Sequence, residues 1–247
     1  MLDKCALILN CFPPTGGPFR LTELSELTGL PKATVHRLAA DLVRLGWLER
    51  SGTHYYLGVK MFEFGALVPR RRDLRHVALP FLQDLFEATH ETVNLGVREA
   101  LEVVYLERIH GHNAPRLPSH VGGSLPLSCT GVGKALLAFS GDELTEQVLS
   151  RPLPSITPYS ITDPVRLRTA LEKIQVSGLA YEEQESTLGV SCIAAPVFAG
   201  DTTVAALSVS VPRARFRPAQ LAPAVRTAAL GLSRVLRHGP GGAGAQG

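Results

Sequence analysis

Apolar residues between Leu21 and Leu57 first follow a helical period and then alternate. The repeat that starts at Leu21 predicts a short helix. A second helix is predicted after Pro31, because proline suits the start of a helix and the apolar residues beyond it recur at steps of three and four. Its inward positions are Val35, Leu38, Leu42 and Leu45. The alternation that follows, broken at Ser51-Gly52, predicts a β-hairpin.

Two helices around a tight turn at Gly29, followed by a hairpin, have the order of elements of a winged helix-turn-helix. Many small helical domains share an apolar stripe and a charged outer face. The winged helix-turn-helix interpretation therefore depends on the order of the elements. The outer faces bear basic and hydroxyl side chains that suit phosphates and base edges. We expect contacts with double-stranded DNA from Lys32, Thr34, His36 and Arg37 in the second helix and from Arg50 and His54 in the hairpin.

The rest of the chain predicts a linker helix over residues 59–72 and an α+β domain over 73–237, after a DNA-binding domain over 1–58. In the second domain two strand-like runs are followed by several helical stripes and then by three more strand-like runs, and this grouping favours an antiparallel sheet flanked by helices. The strand-like runs are 93–97, 103–109, 179–185, 191–199 and 203–211. Residues 238–247 are too rich in glycine to pack, so a disordered tail is expected there.

Composition is that of a globular protein: 45% of the 247 residues are apolar and 19% are charged. The formal net charge of +3 is small, so DNA affinity would come from a local patch. The sequence shows no secretory signal and no apolar run of membrane-spanning length, so we expect a cytoplasmic protein. Its cysteines lack C-x-x-C spacing and are expected to be reduced thiols. They are Cys5, Cys11, Cys129 and Cys192.

The sequence GVGK at 131–134 invites a nucleotide-binding interpretation, which its surroundings exclude. A P-loop needs glycine at the position of Ser128 and a hydroxyl residue at the position of Ala135. What remains is a backbone of small residues that runs into a helix start, where free N–H groups can hold an anion. The alternative is an ordinary helix start capped by Thr130.

Three further groups of polar residues have unremarkable interpretations. His110, His112 and His120 lack a matching cysteine or carboxylate cluster, so solvated loop histidines are favoured over a metal site. The run of acidic residues that follows Glu182 lacks a nucleophile–base pair, and a solvent-facing strand end suits Glu183 and Glu185. Ser208 and Ser210 share one side of an apolar strand, where they meet solvent or line a polar pocket.

Several spaced motifs make the chain resemble the IclR family of bacterial transcriptional regulators from about Leu2 to Leu236. They are TGLPKATVHRL, LVRLGWLER, YYLG, VGGSLPLSCTGVGKALLAF, ITDP, GVSCIAAPVF and AALSVSVP. The resemblance implies a winged helix joined by a linker helix to a GAF-like effector-binding domain. Members pair through their DNA-binding domains, usually form tetramers, and act as repressors or activators that respond to small molecules, often carboxylates.

The resemblance also implies which residues bind the effector. Carried over motif by motif, they are Leu117, Leu125, Gly131, Val132, Glu182, Val190, Cys192, Ser208 and Ser210. Two positions depart from the family pattern: Ser128 stands where a histidine is common, and Ser191 stands where a basic residue is common. We therefore expect a ligand that differs from the small oxoacids of well-known members.

The leading hypothesis is a homodimeric or homotetrameric regulator whose operator binding is controlled by a small organic acid, without catalytic activity, cofactor, metal or membrane partner. Leu2, Cys5, Leu9 and Phe12, with the linker helix around Phe62–Gly65, offer apolar surface for the dimer. A hydrolase or isomerase with a DNA-binding appendage would need a nucleophile, base and orienting group, and the sequence supplies no such set. A C-terminal domain that serves only oligomerisation is the third hypothesis.

Overall fold

The computed structural model describes residues 1–13, 17–111 and 119–238. The chain divides into two compact units, Met1–Arg72 and Asp73–Gly247. No helix in the described part of the chain is both long and apolar enough to cross a membrane.

The first unit has the predicted helix-turn-helix and wing. Its elements are α1 (Leu2–Leu9), β1 (Phe19–Arg20), α2 (Leu21–Thr28), α3 (Lys32–Arg44), β2 (Leu48–Ser51), β3 (His54–Leu57) and α4 (Val59–Ala66). Gly29 ends α2 in the left-handed conformation, which glycine adopts without strain. The strands form an antiparallel sheet in the order β1-β3-β2, so the hairpin gains a third strand that the sequence pattern did not predict.

The core of the first unit confirms most of the predicted stripe on α3. Val35, Leu38 and Leu42 are at most 1% exposed and pack with Leu24 of α2. Leu45 is 48% exposed, so its predicted inward position is wrong. The reason is that α3 ends at Arg44, and Leu45 lies beyond the last helical turn.

The second unit is α+β, as predicted. Its strands are β4 (Thr92–Glu99), β5 (Glu102–Ile109), β6 (Ser124–Pro126), β7 (Ala180–Glu183), β8 (Val190–Ala199) and β9 (Thr202–Pro212). They form an antiparallel sheet in the order β6-β5-β4-β9-β8-β7. The helices are α5 (Pro69–Thr89), α6 (Gly131–Leu137), α7 (Asp142–Leu149), α8 (Pro164–Ser177) and α9 (Pro218–His238). A new helix begins at Pro69 because proline has no N–H to continue α4 and suits a first turn.

The two faces of the six-stranded sheet bury different helices, since side chains alternate across each strand. Leu207 and Val209 of β9 belong to the core that includes α5 and α9. Ser208 and Ser210 alternate onto the opposite face, as predicted, and α6, α7 and α8 pack on that face. The sheet therefore presents polar groups to the start of α6.

Candidate functional site

The outer face of α3 carries the side chains expected to meet DNA. Lys32, His36 and Arg37 are exposed and Thr34 is half-buried. Val35 between them is fully buried, which fixes the rotation of α3 about its axis. Because α3 starts at Lys32, these residues occupy its first two turns, where helix-turn-helix proteins contact base edges.

Arg20 adds a basic group beside the wing that the sequence pattern did not predict. Arg50 is exposed, donates from Nε to the carbonyl of Gly52 at 3.0 Å, and lies over the ring of Tyr55. His54 is half-buried, and its Nε2 accepts a hydrogen bond from Arg20 Nε at 3.2 Å. Arg20 reaches this position because β1, a strand of two residues, pairs with β3. A strand so short leaves no periodicity to find.

A cavity lies between the start of α6 and the polar face of the sheet, and we call it the α6 cavity. The empty space between the atoms around it, which includes the part open to solvent, is about 340 Å³. Its lining comprises Tyr105, Ser119, Leu125, Thr130, Gly131, Val132, Glu182, Ser186, Thr187, Val190, Cys192, Ser208 and Ser210. Eight of the nine predicted ligand residues are in this lining, and the ninth, Leu117, lies outside the described residues.

The backbone at the start of α6 lies so close to its neighbours that a side chain at Gly131 or Gly133 would force them to shift. A Cβ on Gly133 would lie 2.2 Å from the carbonyl oxygen of Leu127, and one on Gly131 would lie 3.0 Å from Cys192 Sγ. Thr130 caps the helix, accepting the N–H of Gly133 at 2.9 Å. The predicted cap is therefore present, and the N–H groups of Gly131 and Val132 are the first-turn donors that remain.

A row of polar side chains forms the sheet side of the cavity. Asn94 of β4 donates from Nδ2 to the hydroxyl oxygens of Ser208 and Ser210, each at 3.3 Å. The sequence pattern did not indicate Asn94 or Tyr105, and Tyr105 is 5% exposed and lines the cavity. A buried polar residue within an apolar strand was the available signal, because such groups need partners.

Glu182 is a buried acid at the β7 end of the cavity. Burial raises its pKa to about 7, although the N–H groups of Ser186 and Glu185 donate to its Oε1. Burial also raises the pKa of the neighbouring Cys192 thiol to about 12. At neutral pH the cavity therefore contains a neutral thiol and a carboxyl group close to its midpoint of ionisation.

Glu185 is buried, and its predicted solvent-facing position is wrong. Its Oε1 lies 2.5 Å from Lys134 Nζ, with side-chain exposures of 7% and 2%. Strand alternation predicted the wrong orientation for Glu185 because β7 ends at Glu183. Gln184 has a positive φ of 62°, so the alternation stops before Glu185. Glu183 does face solvent, where it pairs with Arg213 at 3.0 Å.

The remaining polar candidates form no metal site in the described part of the chain, where no three potential ligands cluster. His110 is exposed, and His112 lies outside the described residues. A wider groove of about 790 Å³ lies between α5 and α9. Its lining is mainly apolar, with Asp84 and Thr227 as the polar side chains, so fewer polar groups converge there than in the α6 cavity.

Comparison with known proteins matches the two parts of the chain to two known domains. Residues 1–52 match the IclR helix-turn-helix domain, and residues 66–234 match the bacterial transcriptional regulator IclR C-terminal domain. The HTH-type transcriptional regulator XynR of Escherichia coli K12 is 33% identical over 244 residues, covering 96% of this chain and 97% of that protein. The regulator KipR of Bacillus subtilis 168 is 34% identical over 224 residues, covering 88% and 90%.

Solved structures show the same architecture. An IclR homologue from Microbacterium hydrocarbonoxydans, complexed with 4-hydroxybenzoate, has a TM-score of 0.86 at 30% identity and covers 96% of this chain and 99% of that one. The Thermotoga maritima IclR has a TM-score of 0.76 at 28% identity, covering 96% and 98%. The relatives named above are regulators and not enzymes. The chain belongs to the IclR family of bacterial transcriptional regulators, with a helix-turn-helix DNA-binding domain and a C-terminal effector domain.

Proposed function

We propose that this regulator binds a small organic monoacid in the α6 cavity and that the acid controls its affinity for an operator. The observation that carries the proposal is the convergence on one cavity of two helix-start N–H groups, a serine pair and a buried carboxyl group. N–H groups at a helix start favour an anion such as a carboxylate. The apolar part of the acid would contact Leu125, Val132 and Val190.

The acid is proposed to be hydroxylated or aromatic, and not a dicarboxylate. Glu182 would repel a second negative charge, whereas it can accept a hydrogen bond from a ligand hydroxyl. The complex of the Microbacterium homologue with 4-hydroxybenzoate, an aromatic hydroxy acid, supports this choice. The operator contacts are proposed to come from Lys32, Thr34, His36 and Arg37 of α3 and from Arg50 and His54 of the wing.

Ser210→Leu tests the location of the acid. Ser210 is 7% exposed, so leucine would fill the space beside Cys192 and weaken binding by at least roughly tenfold through lost contacts and steric conflict. Calorimetry with benzoate, 4-hydroxybenzoate, lactate and succinate measures the effect, and a binding acid should also raise the melting temperature of the wild-type protein. Ser150→Leu, at the exposed serine that follows the last residue of α7, is the matched control. Failure of every acid to bind, or equal binding by Ser210→Leu, contradicts the proposal.

Affinity for the acid should depend on pH through Glu182. The pKa of Glu182 is about 7 without ligand, and the negative charge of an acid bound in the same cavity raises it further. Glu182 is then protonated in the complex and accepts the ligand hydroxyl on its carbonyl oxygen, so binding takes up a proton above pH 7. We expect affinity to fall by up to about tenfold per pH unit above 7 and to stay level between pH 5 and 7. Calorimetry across this range measures it. Glu182→Gln should flatten the profile, and a wild-type profile that is already flat would exclude this role for Glu182.

We also propose a homodimer formed through α1 and α4. Cys5, Leu9 and Phe12, expected on the dimer surface, instead pack partly buried against the core of their own unit. The exposed apolar side chains are others on the two helices, and such surface marks an interface. They are Leu2 at 79% exposure, Leu7 at 47%, Phe62 at 77% and Phe64 at 45%.

Sedimentation at micromolar concentration should give a multiple of the 26.5 kDa chain mass. Phe62→Asp should lower that multiple, since a charge in an apolar interface is costly. Val176→Asp, at an isolated residue of α8 that is 91% exposed, should leave it unchanged. A dimer of dimers, which family membership favours, would fall from tetramer to dimer in Phe62→Asp. A monomeric wild-type mass is incompatible with the proposal.

A further inference from the structure

The charges around the α6 cavity do not balance. Lys134 is a buried cation in α6, but its ammonium group is paired with Glu185. Glu182 is a second acid in the lining. The N–H groups of Gly131 and Val132 add a favourable dipole but no net charge. A full positive charge for a bound carboxylate would therefore have to come from a residue other than Lys134.

Arg108 of β5 is positioned to supply that charge. It lies directly opposite Asn94 in the antiparallel register, so its side chain leaves the sheet on the same face as Asn94, Ser208 and Ser210. Its Nη1 donates a hydrogen bond to the carbonyl of Ser119, a residue that lines the cavity. Its Nε is buried and has no hydrogen-bond partner within the described structure.

Arg108 also has no anionic partner among the described residues. Glu107, next in sequence, is paired instead with Arg75 of α5 at 2.7 Å, on the other face of the sheet. Residues 14–16, 112–118 and 239–247 contain no Asp or Glu. Burial lowers the pKa of Arg108, which means that its surroundings penalise its charge, and no carboxylate of the described residues pairs with it.

Tyr105 connects this cation to the cavity. Its phenol lines the cavity, and its pKa is raised mainly by burial and further by Cys192 and Glu182, whereas a hydrogen bond with Thr130 and the charge of Arg108 lower it. Glu182 is part of the cavity lining, and Arg108 reaches that lining through its hydrogen bond to the carbonyl of Ser119.

We propose that Arg108 is a specificity-determining residue that supplies the counter-charge for the carboxylate of the effector. This assignment rests on the proposed binding of an organic acid in the α6 cavity. The carboxylate lies on the Arg108 side of Tyr105, and a ligand hydroxyl lies toward Glu182. The partnerless Nε and the neighbouring start of α6 together give the carboxylate charged and uncharged N–H donors.

The test compares an acid with its uncharged amide. Wild-type protein, Arg108→Gln and Arg108→Lys are titrated by calorimetry with 4-hydroxybenzoate and 4-hydroxybenzamide, and with each other acid of the panel that binds and its amide. The wild-type protein should prefer acid over amide by roughly tenfold or more, as hydrogen bonds to a charged group warrant. Arg108→Gln should lose most of that preference with little change in amide affinity, and Arg108→Lys should keep it.

The ratio of acid to amide affinity separates charge recognition from a structural role, since misfolding would weaken both ligands alike. If Arg108→Gln folds and its ratio of acid to amide affinity is that of the wild-type protein, the assignment is overturned. If Arg108→Gln does not fold, the assignment is overturned when folded Arg108→Lys has lost the preference for the acid. If the wild-type protein binds no acid, the proposed function fails and the assignment fails with it. If it binds acids and Ser210→Leu abolishes binding while Arg108→Gln keeps the ratio, the assignment to Arg108 alone fails.

Discussion

Lys134→Met is expected to lower the free energy of unfolding by about 3–5 kcal/mol, because it leaves the carboxylate of Glu185 buried without a counter-charge. The ammonium of Lys134 lies 2.5 Å from Glu185 Oε1, and both side chains are almost fully buried. Glu185 Oε2 already has no hydrogen-bond partner among the described residues. Chemical denaturation of the two proteins at pH 7 measures the difference.

The loss should shrink in acid. Burial raises the pKa of Glu185 above its ordinary 4.5 even with Lys134 present, and removing the ammonium raises it further. A carboxyl group whose pKa is higher in the folded state destabilises the fold when it is ionised. This destabilisation is complete above the folded pKa and disappears as the pH falls to the unfolded pKa. The difference between the two proteins should therefore be largest at neutral pH and smallest near pH 4.5.

Two controls assign the effect to the buried charge. Arg168→Met breaks an exposed pair with Glu146 at 2.7 Å and should cost about 0–1 kcal/mol. The double change Lys134→Met with Glu185→Leu removes both charges and should recover most of the lost stability. A loss below about 1 kcal/mol in Lys134→Met would contradict a buried ion pair between α6 and the segment after β7.

Arg37→Ala is expected to weaken specific operator binding by roughly tenfold to a hundredfold per recognition helix, the range for a lost base contact. Arg37 is exposed in the second turn of α3, whereas Val35 and Leu38 beside it are buried in the core. The variant should therefore lose affinity while its melting temperature stays nearly unchanged. Fluorescence anisotropy with a duplex selected by the protein from a random library measures the binding.

Arg44→Ala is the matched control, because it removes the same charge at the last residue of α3, where Arg44 is paired with Asp41. It should change operator affinity far less than Arg37→Ala. Arg50→Ala in the wing should weaken selected and unrelated duplexes alike, as expected of a backbone contact. Undiminished operator binding by Arg37→Ala, or a variant that no longer folds, would count against this assignment for α3.

The elements that the sequence predicted well are those with a complete local signal. The stripe of Val35, Leu38 and Leu42 predicts α3, and the alternation of Ser208 with apolar neighbours predicts the polar side of β9. Such patterns arise because a long element repeats its contact with the core at every turn or every second residue. β1 was missed because two residues carry no period.

The residues around the cavity that the sequence did not predict depend on contacts across the fold. Glu185 turns inward after the positive φ of Gln184 and meets Lys134, which lies 51 residues earlier in the chain. Asn94 and Arg108 become neighbours only through the register of β4 with β5. No local pattern encodes such pairings, so the charges of the site emerge from the sheet topology.

Operator affinity measured with and without the acid tests the central claim most directly. The selected duplex is titrated with wild-type protein and with Ser210→Leu, each without ligand and with a saturating acid from the panel, 4-hydroxybenzoate first. The acid should change the operator affinity of the wild-type protein by at least about fivefold in one direction, as coupling between two sites implies, and should leave Ser210→Leu unchanged. An acid that binds the wild-type protein without altering its operator affinity would contradict a regulator controlled through the α6 cavity.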